Sequence, residues 1–255
     1  MQNAKRKILS LTIMLLSLGC FIQQGDLSAQ EWKSWDALFN GKNLAGFKVP
    51  AGDNGHWKVL DGVIDYDAQS EAAGKDKNLW TQDSFGNFKL HLEWRLTQVS
   101  GLYPMKIILP DGSYKKDAFG KDVLVPSPNA DSGLLLRGPS SGQQVQMWCW
   151  PVGSGELWNV RNNKSLTPAQ RAAAVPKVKA DKPVGEWNVF DITLVGDRVT
   201  VVLNGHLVID NAQIPGLPER GPLGFQHHGG IDKKTGKHGK ASSTVQFRNI
   251  RIKSL

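Results

Sequence analysis

The chain has few means of crosslinking itself, few helix signals and no second long apolar run. It carries only two cysteines in 255 residues. Cys20 falls in an N-terminal leader described below, so the exported form would keep Cys149 alone, and an internal disulfide framework is excluded. Cys149 sits between Trp148 and Trp150 and reads as a small buried apolar residue rather than a nucleophile. Beyond the leader, no stretch approaches the roughly 20 apolar residues of a membrane span. The net charge is +8, but the basic residues are scattered. Short clusters at Lys115-Lys116 and Lys233-Lys234 do not make the basic stripe of a nucleic-acid binder, so no nucleic-acid partner is expected. Also missing are the Gly-x-Ser-x-Gly elbow, a phosphate-binding glycine loop, His-Glu-x-x-His and Cys-x-x-Cys. The Glu-x-Asp-x-x-Glu arrangement of a retaining jelly-roll glucanase is missing too. Glu156 has no carboxylate partner close in sequence, which leaves two-carboxylate glycoside hydrolysis poorly supported.

The leader is present and legible. Lys5-Arg6-Lys7 precedes an apolar stretch from Ile8 to about Ile22, then small and polar residues to Ala29. That order is a secretory signal peptide, with cleavage expected after Ala29. Residues 30–255 would then form one domain, and the net charge would fall to +6. Lipidation at Cys20 is the alternative, because Leu18-Gly19-Cys20 resembles a lipobox; Ser17 stands where that motif usually has Leu. The expected location is the periplasm, the cell surface or the medium.

The rest of the chain alternates. From Phe88 to Leu96, Phe88, Leu90, Leu92, Trp94 and Leu96 share one face of a strand, and Lys89, His91, Glu93 and Arg95 share the other. Trp187 to Leu194 repeats the pattern. Asp61-Gly62 and Asn204-Gly205 each join two such runs and predict hairpins. Further strands are expected near residues 133–137, 143–148, 223–226 and 244–252. The one clear helix signal is Thr167-Pro168 opening an alanine-rich turn that Pro176 stops. Many two-faced strands with almost no helix predict an all-β, jelly-roll sandwich of two antiparallel sheets with one short helix in a long loop. Residues 101–129 and 152–183 interrupt the pattern as long connections of the kind that carry function.

In such a sandwich, polar residues at alternate positions can line a groove while their neighbours fill the core. That geometry selects Glu93 with His91 or Arg95, Arg137, Gln144 and Gln146, and Gln226 or His228. Each has a plainer reading. Alternating charges usually just face solvent, Glu93 could belong to a structural ion pair, and residues 226–230 could be only a turn. Two histidines in a glycine-rich strand end still suggest a base or a metal ligand. In an extended strand His227 and His228 point opposite ways, so only one can reach a groove. All nine tryptophans lie beyond the leader. Trp148, Trp150 and Trp158 are candidates for stacking on sugar rings, while Trp57, Trp94 and Trp187 are expected to pack the core.

A series of motifs, in order from about residue 36 to the end, resembles the 3-keto-disaccharide hydrolase domain family. Leu38-Phe39-Asn40-Gly41-Lys42 is similar to its opening "LFNGKDLSGW". Asp131-Ser132-Gly133-Leu134-Leu135-Leu136-Arg137 is similar to "NSGIFLR", and Val145-Gln146 to the end of "EVQ". Gly185-Glu186-Trp187-Asn188, Leu203-Asn204-Gly205, Gly221-Pro222-Leu223-Gly224-Phe225-Gln226 and Phe247-Arg248-Asn249-Ile250-Arg251-Ile252 are similar to "GEWN", "LNG", "GPIGLQDHG" and "FRNIRI". His227 stands in place of the motif's Asp, and Asp131 in place of Asn.

The resemblance implies a concanavalin A-like jelly roll acting on 3-keto-glycosides, by 1,2-elimination or hydrolysis of the glycosidic bond or by hydration of the resulting glycal. It implies His228, Glu93 and Glu156 as catalytic candidates and Arg137, Gln146 and Gln226 as substrate-binding candidates, which Trp148 and Trp158 join on their stacking chemistry. A divalent metal ion, with His228 and Glu156 as candidate ligands, would polarise the ketone; no organic cofactor is implied. The expected partner is a 3-keto-glucoside or other saccharide. A non-catalytic carbohydrate-binding module and an ordinary glycosidase are the alternatives.

Overall fold

A computed structural model describes residues 32–99, 101–139, 143–239 and 241–255. The leader, its cleavage point and Cys20 lie outside the described residues.

Two antiparallel sheets face each other, as the alternation predicts. The larger has eight strands: β1 (Asp36–Ala37), β3 (Trp57–Leu60), β4 (Val63–Asp67), β6 (Phe88–Leu96), β11 (Asn188–Val195), β12 (Arg198–Leu203), β13 (His206–Gln213) and β15 (Thr244–Ser254). Their order is β13-β12-β11-β6-β15-β4-β3, with β1 added to β15. The smaller sheet runs β10-β9-β14-β5-β2. Its strands are β2 (Phe47–Lys48), β5 (Leu79–Thr81), β9 (Asp131–Leu135), β10 (Gln144–Trp148) and β14 (Gly224–Phe225). The chain returns late to the larger sheet, where Asp36 pairs with Ile252.

The period of two decides what is inside. Phe88, Leu90, Leu92, Trp94 and Leu96 are all buried, while Lys89, His91, Glu93 and Arg95 alternate outward. From the smaller sheet, Leu134, Val145, Met147 and Phe225 meet them in one core cluster. Each such side chain contributes about 1.5–3 kcal/mol by leaving water. Trp57 stacks on Tyr66 at 3.7 Å within the core. Trp187 departs from expectation: it is half-buried, with the guanidinium groups of Arg248 and Arg95 at 4.0 and 4.7 Å from its ring. Asp61-Gly62 and Asn204-Gly205 form the expected hairpin turns, all four residues having positive φ.

The two long connections hold more structure than a loop. Residues 101–129 build an arm from β7 (Leu102–Lys106) and β8 (Leu124–Pro128), extended by bridges Ile108–Tyr114 and Lys116–Asp122. Alternation is blurred there because the arm has no apolar face on the main core, so its sequence carried no strand signal. Residues 152–183 hold α1 (Trp158–Asn162) and α2 (Pro168–Ala173). Thr167 caps α2 as expected, and Gln170 completes a capping box with it. The shorter α1 has no side-chain cap, which is why no boundary signal announced it.

Candidate active site

The outward face of the smaller sheet carries a grid of polar side chains. β9 and β10 pair Gln144 with Leu135, Gln146 with Gly133 and Trp148 with Asp131. On one side the Gln226 N–H donates to the Gly133 carbonyl at 3.0 Å. On the other, the Gln146 N–H donates to the Glu156 carbonyl at 3.1 Å, and the Gly155 N–H donates to the Gln146 carbonyl at 2.8 Å. One row across the sheet therefore reads Gln226, Gly133, Gln146, Glu156. Two residues along, the next row brings in the backbone of His228 beside Asp131. Ser243 joins these two: its N–H donates to the His228 carbonyl at 2.9 Å and its hydroxyl to the Asp131 carbonyl at 2.7 Å.

Glycine makes the floor of this grid. A Cβ on Gly133 would lie 3.1 Å from the Val145 carbonyl oxygen and 3.3 Å from Oε1 of Gln144. The bare backbone lets the Gln144 amide settle over it. One strand further, a Cβ on Gly224 would fall 2.5 Å from the Trp80 ring, so only glycine lets that indole lie across β14.

The carboxylates are the chemical centre. Glu156 is fully buried, and the Arg161 Nε–H donates to its Oε1. Burial pushes the Glu156 carboxyl up to about 7, with Arg161 opposing the rise. Asp131 is raised well above the usual carboxylate range by burial and then by Glu156 itself. With its amide oriented to satisfy its neighbours, Gln146 donates to Asp131 Oδ1 at 3.1 Å and accepts from Gln144 Nε2 at 2.6 Å. Each carboxyl is pushed toward its protonated form, Asp131 in part by the charge of Glu156. Four buried oxygens nearby in sequence or space lack a donor: Glu156 Oε2, Gln144 Oε1, Gln226 Oε1 and Asn129 Oδ1. Sugar hydroxyls are donors of the kind they lack.

The arm closes on this centre. The Arg161 Nη2–H donates to the Tyr114 hydroxyl at 3.3 Å, and its guanidinium lies 5.0 Å from the Tyr114 ring centre. Tyr114 and Arg161 were not candidates from sequence. Arg161 follows Glu156 by five residues, a spacing without a motif, and Tyr114 lies in the arm whose fold was not legible.

The histidines divide as strand geometry requires. His227 turns toward the core side, where Nδ1 meets the Tyr66 hydroxyl at 2.5 Å and its N–H donates to Asn78. Burial, then Lys77 and His228, lower its imidazole to about 4. His228 is exposed, and its Nδ1 lies 2.8 Å from the Ala241 carbonyl. A carbonyl only accepts, so Nδ1 carries the proton and the Nε2 lone pair is left for another task.

Other candidates are placed elsewhere. Glu93 projects from the far face of the larger sheet, where it accepts from Arg248 Nε at 2.7 Å and from Asn249 Nδ2 at 2.5 Å. A whole sandwich separates it from Gln146, and the ion-pair reading describes it. Arg137 is buried and donates to the carbonyls of Gly86, Gly196 and Pro218 and to Asn87 Oδ1. Those bonds tie three loops together and leave no free edge for a sugar. Trp148 is 3% exposed, stacked on Trp150 at 4.4 Å, with its indole N–H donating to Gly153. It walls the site rather than offering a face. Trp158 is 38% exposed on α1. Cys149 packs against the core, and burial raises its thiol.

A divalent metal would need oxygen or imidazole ligands gathered at this face. Among the described residues, no three His, Cys, Asp or Glu side chains are grouped as ligands. Glu156 Oε1 is taken by Arg161, but Oε2 and the mutually repelling Asp131 are oxygens that a hard cation would satisfy.

No curated protein matches the chain. Solved structures share its fold. One candidate glycosyl hydrolase from Parabacteroides distasonis ATCC 8503 is 22% identical, with 87% of this chain and 84% of that one covered, at a TM-score of 0.54. A second from the same organism is 20% identical over 91% of this chain and 98% of that one, at 0.53. A third is 21% identical over 87% and 99%, at 0.51. The model of the 3-keto-alpha-glucoside-1,2-lyase-like domain matches residues 34–253. From its sandwich, its ordered motifs and that match, the chain belongs to the 3-keto-alpha-glucoside-1,2-lyase-like domain family and is a carbohydrate-active protein.

Proposed function

We propose that the protein is an exported enzyme that cleaves 3-keto-glucosides by 1,2-elimination, with His228 as the base and the Asp131–Glu156 pair as the acid. The observation that carries this reading is the pairing of one open imidazole with two proton-retaining carboxyls on adjacent rows of one sheet face. A ketone at C3 acidifies the hydrogen on C2. Nε2 of His228 takes that proton, and the C2–H electrons form the C1=C2 double bond as the C1–O bond breaks. The departing alkoxide takes a proton from the Asp131–Glu156 pair, giving a free alcohol and a 3-keto-glycal. Gln144, Gln146 and Gln226 bind hydroxyls of the ring, and Trp148 with the arm keeps bulk water from the acid. A divalent cation bound by Asp131 and Glu156 Oε2 would need both carboxylates ionised, and would supply Lewis-acid polarisation of the ketone in place of their acid role. Addition of water across the glycal, by the same groups in reverse, gives hydration or net hydrolysis. This needs one base and one acid rather than the two separate carboxylate roles of ordinary glycosidases.

The test is to incubate the protein, beginning at Gln30, with an aryl 3-keto-glucoside and with the plain aryl glucoside, each with and without chelator. Release of the phenol from the keto sugar only, with loss of the C2 deuterium label to solvent, supports elimination. Release from the plain glucoside would move the protein to the ordinary glycosidases. Binding of both without turnover would make it a carbohydrate-binding module.

A further inference from the structure

The far face of the larger sheet holds a groove of about 770 Å³ that the proposed reaction does not use. That volume falls in the range of ligand sites, roughly 300–1,000 Å³. Its end wall is aromatic. Trp32 and Trp35 meet edge to face at 5.4 Å, and Trp32 meets His91 at 4.9 Å. Both indoles are half-buried, so part of each remains open. The wall exists because β1 pairs with the end of β15, beyond a register shift between Arg248 and Arg251.

The charges of the groove are unbalanced in one direction. Its acids are engaged: Asp191 with His91 at 2.7 Å, and Glu93 with Arg248 and Asn249. Its other cations, Lys89, Lys182 and Arg251, have no carboxylate in ion-pair reach among the described residues. The Arg251 guanidinium lies over the Trp32 ring at 5.2 Å. That distance suits a cation–π contact, and a guanidinium is the side chain best matched to a planar carboxylate.

We propose that this groove is a second saccharide site, distinct from the reaction centre, that takes an acidic glycan bearing uronate carboxylates. The indoles suit the apolar C–H faces of sugar rings, and Arg251 with Lys89 and Lys182 suits carboxylates spaced along the chain. An acidic glycan would bring carboxylates to the cations of the groove, and the net charge of +6 that remains without the leader favours an anionic polymer at long range. The site would hold the enzyme on an acidic polysaccharide while its opposite face works on small glycosides.

Calorimetric titration of the protein beginning at Gln30 with an oligogalacturonate tests this. Saturable binding is expected, weakening as salt is raised, and weakened at least about tenfold by Arg251→Ala or Trp35→Ala. Lys89→Ala, at an exposed position, should weaken it severalfold without touching the fold. Glu156→Gln should bind as tightly as the parent, which separates this site from the reaction: either proposal can fail while the other stands. Equal affinity for a neutral malto-oligosaccharide of the same length would overturn the inference. So would equal affinity for an oligonucleotide of the same charge, absence of binding, or binding that all three groove variants leave unchanged.

Discussion

Arg161 holds Glu156 from beneath the site, its Nε–H donating to Oε1 with both side chains out of contact with water. A buried pair of this kind is costly to break from one side, because the remaining charge has no solvent. Arg161→Met should therefore lower stability by about 3–5 kcal/mol at neutral pH, measured by denaturant unfolding. The loss should grow above pH 7, where the parental Glu156 ionises beside Arg161 and the orphaned one keeps its proton. Glu156→Gln should be far milder in stability and should cut turnover of a 3-keto-glucoside by about 100-fold or more. A variant that turns over at the parental rate would remove Glu156 from the acid pair.

Stability against pH should contain two opposed slopes. Glu156 is raised from 4.5 to about 7, so the native state keeps a proton that the unfolded chain has lost across that window. Stability from this group is present below the unfolded value and falls as pH rises toward 7. His227 is lowered from 6.5 to about 4, so the unfolded chain holds the extra proton there, and stability rises as pH climbs through that window. Each slope is at most about 1.4 kcal/mol per pH unit. Glu156→Gln should remove the fall and His227→Asn the rise, read from unfolding midpoints between about pH 4 and 8. Activity should decline on the alkaline side as the acid gives up its proton, and because Asp131 feels the charge of Glu156 that limb belongs to the pair rather than to one residue.

The neighbouring histidines should separate in mutagenesis. His228→Ala removes an exposed imidazole and should leave the unfolding midpoint nearly unchanged while lowering turnover by about 10²- to 10⁴-fold. His227→Ala removes the partner of a buried Tyr66 hydroxyl and should cost about 1–3 kcal/mol of stability. Equal losses of turnover in the two, with equal losses of stability, would show that the segment acts only as a structural turn.

The strand period made both faces of β6 and β11 readable, because every second residue of each is in the core. The same period placed Gln146 and His228 on one face once the pairing was known, but pairing is a long-range property. Nothing local says that β9 lies between β10 and β14, so Glu93, on an equally regular strand, looked as eligible as Gln146. Arg137 misled for a related reason. An arginine ending a buried strand reads as a ligand for substrate, yet the carbonyls it satisfies come from residues 86, 196 and 218, far away in sequence. Asp131 was visible only as a departure from a motif. Its significance comes from Glu156, which reaches it through the edge of β10.

Arg137 gives the last prediction. Its guanidinium donates to the carbonyls of Gly86, Gly196 and Pro218, groups that are otherwise left without this partner at the closed end of the sandwich. Arg137→Ala would orphan several buried acceptors at once, each worth about 1–3 kcal/mol. A loss of about 3 kcal/mol or more is expected, with the unfolding midpoint as the measure. Arg137→Lys should recover little, since an ammonium cannot span three carbonyls held by a planar fork. If Arg137 instead bound substrate, Arg137→Lys would fold normally and raise KM. Parental KM in whatever fraction of Arg137→Lys remains folded, together with a lowered midpoint, would establish that this side chain fixes the loops and takes no part in holding the sugar.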